Sequence, residues 1–295
     1  MTISSMKLSQ SVLSGDSISL VWDLECEQLT IGGAFVLRQE GEMLAQITGK
    51  KNVILQIICQ ASDRVAANDL ANKVFCSSSL SFRLVFSSSG SEGWPSKLLR
   101  SHSDFSYFSF IRLIGLHQES GIKPELRWNS HTLGLAKQAR ASFSGRLICI
   151  HLRFIAPFLS EESNADGSVW QTFFNERAEP GFCNFLLIGD DELPRGFTLR
   201  PGVIRAKDIN LELIVQLALV SIADGFMGMA SGLCTIANLS DVPHVIFKHP
   251  AHHAAEMEKE LGSVDQFPFA GSQQKLWRRE VDQISLTEAF NLISL

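Results

Sequence analysis

The chain has no CxxC pair, no HExxH or Asp-x-Asp motif, no run of lysines and arginines, and no uninterrupted apolar stretch of membrane-spanning length. Each absence removes a class of function. Its six cysteines, Cys26, Cys59, Cys76, Cys149, Cys183 and Cys234, are scattered, most of them inside apolar runs. That distribution argues against a disulfide framework or a zinc site and for the reduced, buried thiols of a cytoplasmic protein. With 26 Lys and Arg against 31 Asp and Glu, the net charge is −5. The electrostatic footprint of a duplex binder is missing, so nucleic acid is not an expected partner. The longest apolar stretches, residues 211–223 and 226–237, are interrupted by Glu212, Gln216 and several glycines. They fall short of the roughly 18 unbroken apolar residues a span needs, and a soluble protein is expected. The N-terminal MTISSMKLSQSVLSGDS has no basic start followed by an apolar run, so export by a signal peptide is not expected. No internal repeat is visible.

What the chain does have is a β/α rhythm. At 295 residues and 45% hydrophobic content it can bury a core, as one large domain or two modest ones. Residues 17–23 read as a strand, Gly32-Gly33 opens a helix over 34–46, residues 52–60 are an apolar run of strand length, and 66–74 return as a helix. A third strand over 81–86 precedes a Ser/Gly-rich loop at 87–96. Residues 105–117 read as a buried helix, 123–128 as extended chain, and 132–142 as an amphipathic helix. The boundary is placed at residues 143/144, giving an N-terminal domain 1–143 and a C-terminal domain 144–295.

The second half alternates more clearly. Strands are expected over 147–152, 184–189, 225–229 and 244–247, and helices over 169–176, 211–223 and 232–239. Ser285-Leu-Thr-Glu288 has a capping-box pattern ahead of a terminal helix at 289–295. Such alternation predicts a doubly wound parallel sheet in each half, two Rossmann-like domains in which ligands bind at the C-terminal ends of strands.

Residues just past those strand ends are therefore the candidates. Ala230-Ser231-Gly232 joins a strand of small residues directly to a helix, which leaves backbone N–H groups facing the strand's edge as an anion site, with Ser231 and Gly232 admitting a diphosphate. An ordinary tight turn uses the same small residues. His151-Leu-Arg153 ends another strand, and the planar guanidinium of Arg153 suits a diphosphate. The loop that follows carries Glu161, Glu162, Asn164 and Asp166, either as a solvated acidic loop or as the source of a general base. Asp190 and Asp191 end a third strand, where acids of this fold contact ribose or base. Lys207 is within reach of a phosphate, and Asp208 reads as the N-cap of the helix over 211–223. His244, His249, His252, His253 and Glu256 match no closed ligand set, so no metal site is expected.

The segment from "ADGF" through "SG" to "DVPHVIF", together with His151-Leu-Arg153, resembles the nucleotide-sugar half of GT-B glycosyltransferases, similar in layout to the α-1,6-fucosyltransferase and heptosyltransferase families. The resemblance covers roughly residues 145–270, with Phe154 standing where the fucosyltransferase motif has a second basic residue. It implies a GT-B-like fold and transfer of a sugar from a nucleoside diphosphate to an acceptor hydroxyl, inverting and metal-independent, in glycan or polysaccharide assembly. By the same resemblance Glu161 is the base, Arg153 acts catalytically on the phosphates, and His151, Arg153, Asp190, Lys207, Ser231 and Gly232 hold the donor. The implied partners are a nucleotide-sugar donor and a glycan or lipid-linked saccharide acceptor, with peripheral attachment to a membrane assembly complex; no cofactor is implied. A non-catalytic nucleotide-sugar-binding scaffold and an epimerase or hydrolase of the same shape are the alternatives.

Overall fold

The structure, a computed structural model, describes residues 16–24, 28–87, 110–155 and 163–294, without the side chain of Glu256. The chain divides into two compact units, residues 1–122 and 123–295. Among the described residues no helix is long and apolar enough to cross a membrane.

The first unit holds three parallel strands in the order β1-β2-β3: β1 (Ser17–Asp23), β2 (Asn52–Ile58) and β3 (Ser81–Ser87). Helix α1 (Ile31–Thr48) connects β1 to β2; Thr30 caps it by accepting from Gly33 N, and left-handed Gly49 (φ 70°) ends it. α2 (Arg64–Phe75) connects β2 to β3, and α3 (Ile111–Ser120) follows. α1 is buried along most of its length and carries charge inside. Arg38 Nε meets Glu42 Oε1 at 2.7 Å, its Nη1 donates to Val74 O (3.1 Å) and Ser77 Oγ (2.9 Å), and Ser78 Oγ donates to Glu42 (2.6 Å). A buried pair of this kind persists because its remaining donors and acceptors are used. Ser87, expected to open a loop at 87–96, is the last residue of β3, and residues 88–96 and the start of the expected helix at 105–117 lie outside the described residues.

The second unit begins earlier than residue 144. Leu126 N donates to Leu239 O (2.9 Å) and Trp128 Nε1 to Ser221 Oγ (3.1 Å). α4 (Ser130–Ala141) is fastened by Arg140, which meets Asp224 Oδ2 at 2.7 Å, and the same oxygen accepts from Leu147 N at 2.8 Å. These bonds bring residues 123–143 into the C-terminal unit, a linkage no local sequence signal carries.

Six parallel strands follow in the order β6-β5-β4-β7-β8-β9: β4 (Arg146–His151), β5 (Cys183–Leu187), β6 (Val203–Arg205), β7 (Gly225–Met229), β8 (His244–Phe247) and β9 (Gln274–Trp277). Helices α5 (Gly167–Arg177), α6 (Leu213–Val220), α7 (Thr235–Asn238), α8 (Ala254–Leu261) and α9 (Gln283–Ser294) connect or cover them. Trp170, Phe173, Phe174, Phe185 and Phe247 form an aromatic core with edge-on and tilted ring contacts. The chain builds outward from β4 to β5 and β6, then returns to β4's other side for β7, β8 and β9. The switch point lies between β4 and β7, where open parallel sheets form a crevice past the strand ends.

Several local expectations change. Helix α6 starts at Leu213 with Glu212 at its N-cap, so Asp208 is not the cap; it lies in a 3₁₀ turn, Ala206–Ile209. The expected helix 232–239 is a 3₁₀ turn, Gly232–Cys234, followed by the single α-turn of α7, since Thr235 and Asn238 are weak helix formers. The terminal helix is capped from Asp282, whose Oδ1 accepts from Ser285 N (2.7 Å) while Ser285 Oγ accepts from Asp282 N (2.9 Å). Ser285 therefore answers a cap instead of being one.

Candidate functional site

β4 and β7 approach so closely at the switch point that only a glycine fits. His151 pairs with Gly228, and a Cβ on Gly228 would stand 2.6 Å from His151 O and 2.9 Å from His151 N. Both neighbours are backbone, so relief requires the strands to part. Gly228→Ala is expected to cost about 1–3 kcal/mol of stability as an overpacked position. A thermal melt checks this, and an unchanged Tm would show that the strands yield freely.

His151 is buried at this point, and burial pushes its imidazole below the ordinary histidine range; Asp191 and the Ile188 carbonyl oppose that shift and Arg153 adds to it. Its Nδ1 lies 3.4 Å from Ile188 O, which favours the tautomer with the proton on Nδ1. Nε2 is then an acceptor facing Asp191 Oδ2 at 3.8 Å. The half-exposed Asp191 carboxylate is free to accept from an incoming donor on this side of His151, and a sugar hydroxyl, with its one O–H, has that chemistry.

The loop after β5 is shaped to reach this spot. Gly189 adopts φ 93°, and a Cβ there would meet Leu233 Cδ1 at 2.9 Å and His151 Nδ1 at 3.5 Å. Its N–H donates to Gln216 Oε1 (2.8 Å), and Gln216 Nε2 donates to Leu211 O (2.7 Å). Gln216 is fully buried in the otherwise apolar α6. A lone amide in LIVQLALV was the sequence signal for this brace.

Past β7, Ser231 caps the 3₁₀ turn: its Oγ accepts from Leu233 N (3.1 Å) and lies 3.7 Å from Cys234 Sγ, which donates to Met229 O (3.0 Å). Burial raises the Cys234 thiol to about 11, against hydrogen bonding from Ser231 and the positive charges of Arg153 and Lys248. The charge of Arg153 thus lowers both the His151 imidazole and the Cys234 thiol. The single α-turn of α7 has little dipole to offer an anion, so the side-chain charges of Arg153 and Lys248 are the larger positive feature here.

No family model and no curated protein sequence matches the chain. Among solved structures it is similar to a glycosyl transferase family 9 protein from Veillonella parvula DSM 2008, with a TM-score of 0.57 at 10% identity over 94% of this chain and 97% of that one. It is also similar to the E. coli heptosyltransferase WaaC with ADP, with a TM-score of 0.51 at 10% identity over 94% of this chain and all (100%) of that one. The fold is GT-B.

Within the GT-B fold the second unit brings His151, Arg153, Ser231 and Gly232 to the β4–β7 edge. Asp190 and Lys207 stand further along it, past β5 and β6, where Lys207 Nζ donates to the Asp190 backbone carbonyl (3.4 Å). The acid brought to His151 is Asp191, whereas the sequence reading had singled out its neighbour Asp190. Glu161 and Glu162 lie outside the described residues. Their segment is tied at its base: Ile155 N donates to Asn164 Oδ1 and Asn164 Nδ2 to Ile155 O, each at 2.9 Å, and Ala165 N donates to Arg153 O at 2.8 Å. Asp166 has a structural duty as the N-cap of α5, and the Ser168 hydroxyl holds its carboxyl below the usual range. Among the described residues no three His, Cys, Asp or Glu are grouped to hold a metal. His244 is a buried strand residue, and His249 lies 4.0 Å from Glu280.

Proposed function

We propose that the chain is a glycosyltransferase that takes a sugar from a nucleoside diphosphate, with the donor lying along the C-terminal edge of the six-stranded sheet and residues 1–122 recognising the acceptor. The observation that carries this reading is the convergence of Arg153, the Ser231 turn and the His151–Asp191 pair on the β4–β7 switch point. Asp191, beside His151, would accept from a ribose hydroxyl. Arg153 would hold the diphosphate in a bidentate contact. Transfer breaks the bond between the sugar's anomeric carbon and the distal phosphate oxygen and forms one to the acceptor oxygen. The acceptor's proton passes to a base, and the nucleoside diphosphate leaves with added negative charge. A fixed guanidinium stabilises that charge as it develops, doing what a divalent ion does in other transferases, so metal-independent, inverting transfer with Glu161 as base is the form proposed. A glycan or lipid-linked acceptor, a cytoplasmic location and peripheral contact with a membrane assembly complex belong to the same proposal.

The experiment is a thermal-shift screen of the intact chain with ADP, GDP, UDP and CDP. A nucleotide at a hundred times its dissociation constant should stabilise the fold by about 2.7 kcal/mol. With the donor so identified, Glu161→Gln should leave nucleotide affinity unchanged and lower turnover by about 10²- to 10⁴-fold, the scale of a lost general base. No stabilisation by any of the four would contradict the donor site; full turnover by Glu161→Gln would contradict the assignment of the base alone.

A further inference from the structure

At the switch point β4 pairs with β7 up to His151, and β7, β8 and β9 carry their hydrogen bonding past their own ends. His151 pairs with Gly228 and Gly228 with Ile246, and Ala230 N donates to Phe247 O (2.7 Å) and Lys248 N to Trp277 O (2.9 Å). Two residues beyond the row His151–Gly228–Ile246 come Arg153, Ala230 and Lys248. Residues two apart share a face of a pleated sheet, so Ala230 and Lys248 lie on the face of Gly228 and Ile246, while Arg153 leaves β4 on the other side of the central strand. All three are half-buried. The positive charges of both Arg153 and Lys248 lower the enclosed Cys234 thiol, against the burial that raises it.

The order of groups along the edge also has a direction. Asp191 follows β5, His151 and Arg153 follow β4, Ser231 follows β7, and Lys248 follows β8. From β5 to β8 is three strand spacings, about 14 Å in all. The Asp191 carboxylate, beside His151, stands at one end and the Lys248 ammonium at the other, with the guanidinium between. A nucleoside diphosphate laid along this line has its ribose at β5 and its sugar-bearing phosphate at β8.

Resting on the donor-site reading above, we infer that Lys248 is a binding residue for the distal, sugar-bearing phosphate of the donor, opposite Arg153, which spans the phosphate nearer the ribose. Lys248 thereby selects diphosphate over monophosphate. As the leaving group gains charge at that phosphate, the ammonium opposite it stabilises the product side of the reaction.

The test is calorimetric titration of the intact chain, as wild type, Lys248→Met and Lys248→Arg, with the nucleoside diphosphate that the wild type binds most tightly and with its monophosphate. Lys248→Met should weaken the diphosphate about tenfold or more, the scale of one charge-assisted hydrogen bond, and leave the monophosphate within about twofold; Lys248→Arg should restore most of the difference. Lys248→Gln, which keeps a polar tip at the strand end, serves the same comparison if the methionine variant does not fold. Equal weakening of both nucleotides, or no change in either, would overturn the assignment of Lys248 while leaving the donor site intact. A wild type that binds neither nucleotide would overturn the donor site and Lys248 with it.

Discussion

Replacing Arg153 by alanine is expected to remove about 2–4 kcal/mol of transition-state stabilisation, a loss of about 30- to 10³-fold in kcat/KM, the scale measured when one preorganised donor is deleted from an enzyme. The residue leaves β4 at the topological switch point, and its charge lowers both the His151 imidazole and the Cys234 thiol. Arg153→Lys keeps the charge and loses the planar fork, so it should retain part of the activity. Folding should survive in both, because the backbone bond from Ala165 N to Arg153 O does not depend on the side chain. Steady-state kinetics with the donor found in the nucleotide screen, beside melting curves of each variant, make the comparison. Wild-type kcat/KM in the alanine variant would show that the guanidinium is a structural strand-end charge.

The second large effect is on stability against pH. His244 is buried in β8, and burial lowers its imidazole to about 4 from the ordinary 6.5, against a contact with the Val242 carbonyl and with a further lowering from Lys123. Above pH 6.5 both folded and unfolded chains hold it neutral, and it has no pH-dependent effect. As pH falls from 6.5 towards 4 the unfolded chain takes a proton that the folded chain refuses, so stability declines through that window. A shift of this size corresponds to about 3 kcal/mol at the acid end. His151, also lowered by burial, adds loss of the same sign. Urea melts of wild type and His244→Gln from pH 7.5 to pH 4 should show the variant's slope shallower by about one proton. Parallel slopes would mean that His244 charges as readily in the fold as in water.

How much of this was legible beforehand depended on how local each feature is. β7 and β8 were bounded correctly because Gly225–Met229 and His244–Phe247 are apolar runs closed by turn residues on both sides. β6 and β9 went unseen, being short edge strands, VIR and QKLW, whose polar residues break the apolar run; Gln274 is buried only because its amide donates to Ser240 O and Val242 O. Arg153 and Ser231 could be singled out one at a time, each as the residue type suited to phosphate just past a strand. That they meet depends on β4 pairing with β7 across more than seventy residues of chain, which no local pattern encodes. Lys248 was missed for the same reason. A lysine after VIF is unremarkable until the register puts it two strands from Arg153. The choice between Asp190 and Asp191 turns on the left-handed backbone of Gly189, and that in turn on the buried brace from Gln216.

Met229 offers the most direct measurement. It is the last residue of β7, buried at the edge where the donor is placed, while Met43 lies in α1 of the first unit and Met257 in α8. With methionine methyl groups labelled, the NMR spectrum of the intact chain is titrated with the nucleoside diphosphate that stabilises it most. The Met229 methyl should shift saturably, with the same dissociation constant as calorimetry gives, and that shift should be lost in Arg153→Ala at the same nucleotide concentration, while Met257 stays in place. Saturable binding that leaves Met229 unmoved would put the nucleotide elsewhere and contradict the assignment of the β4–β7 edge.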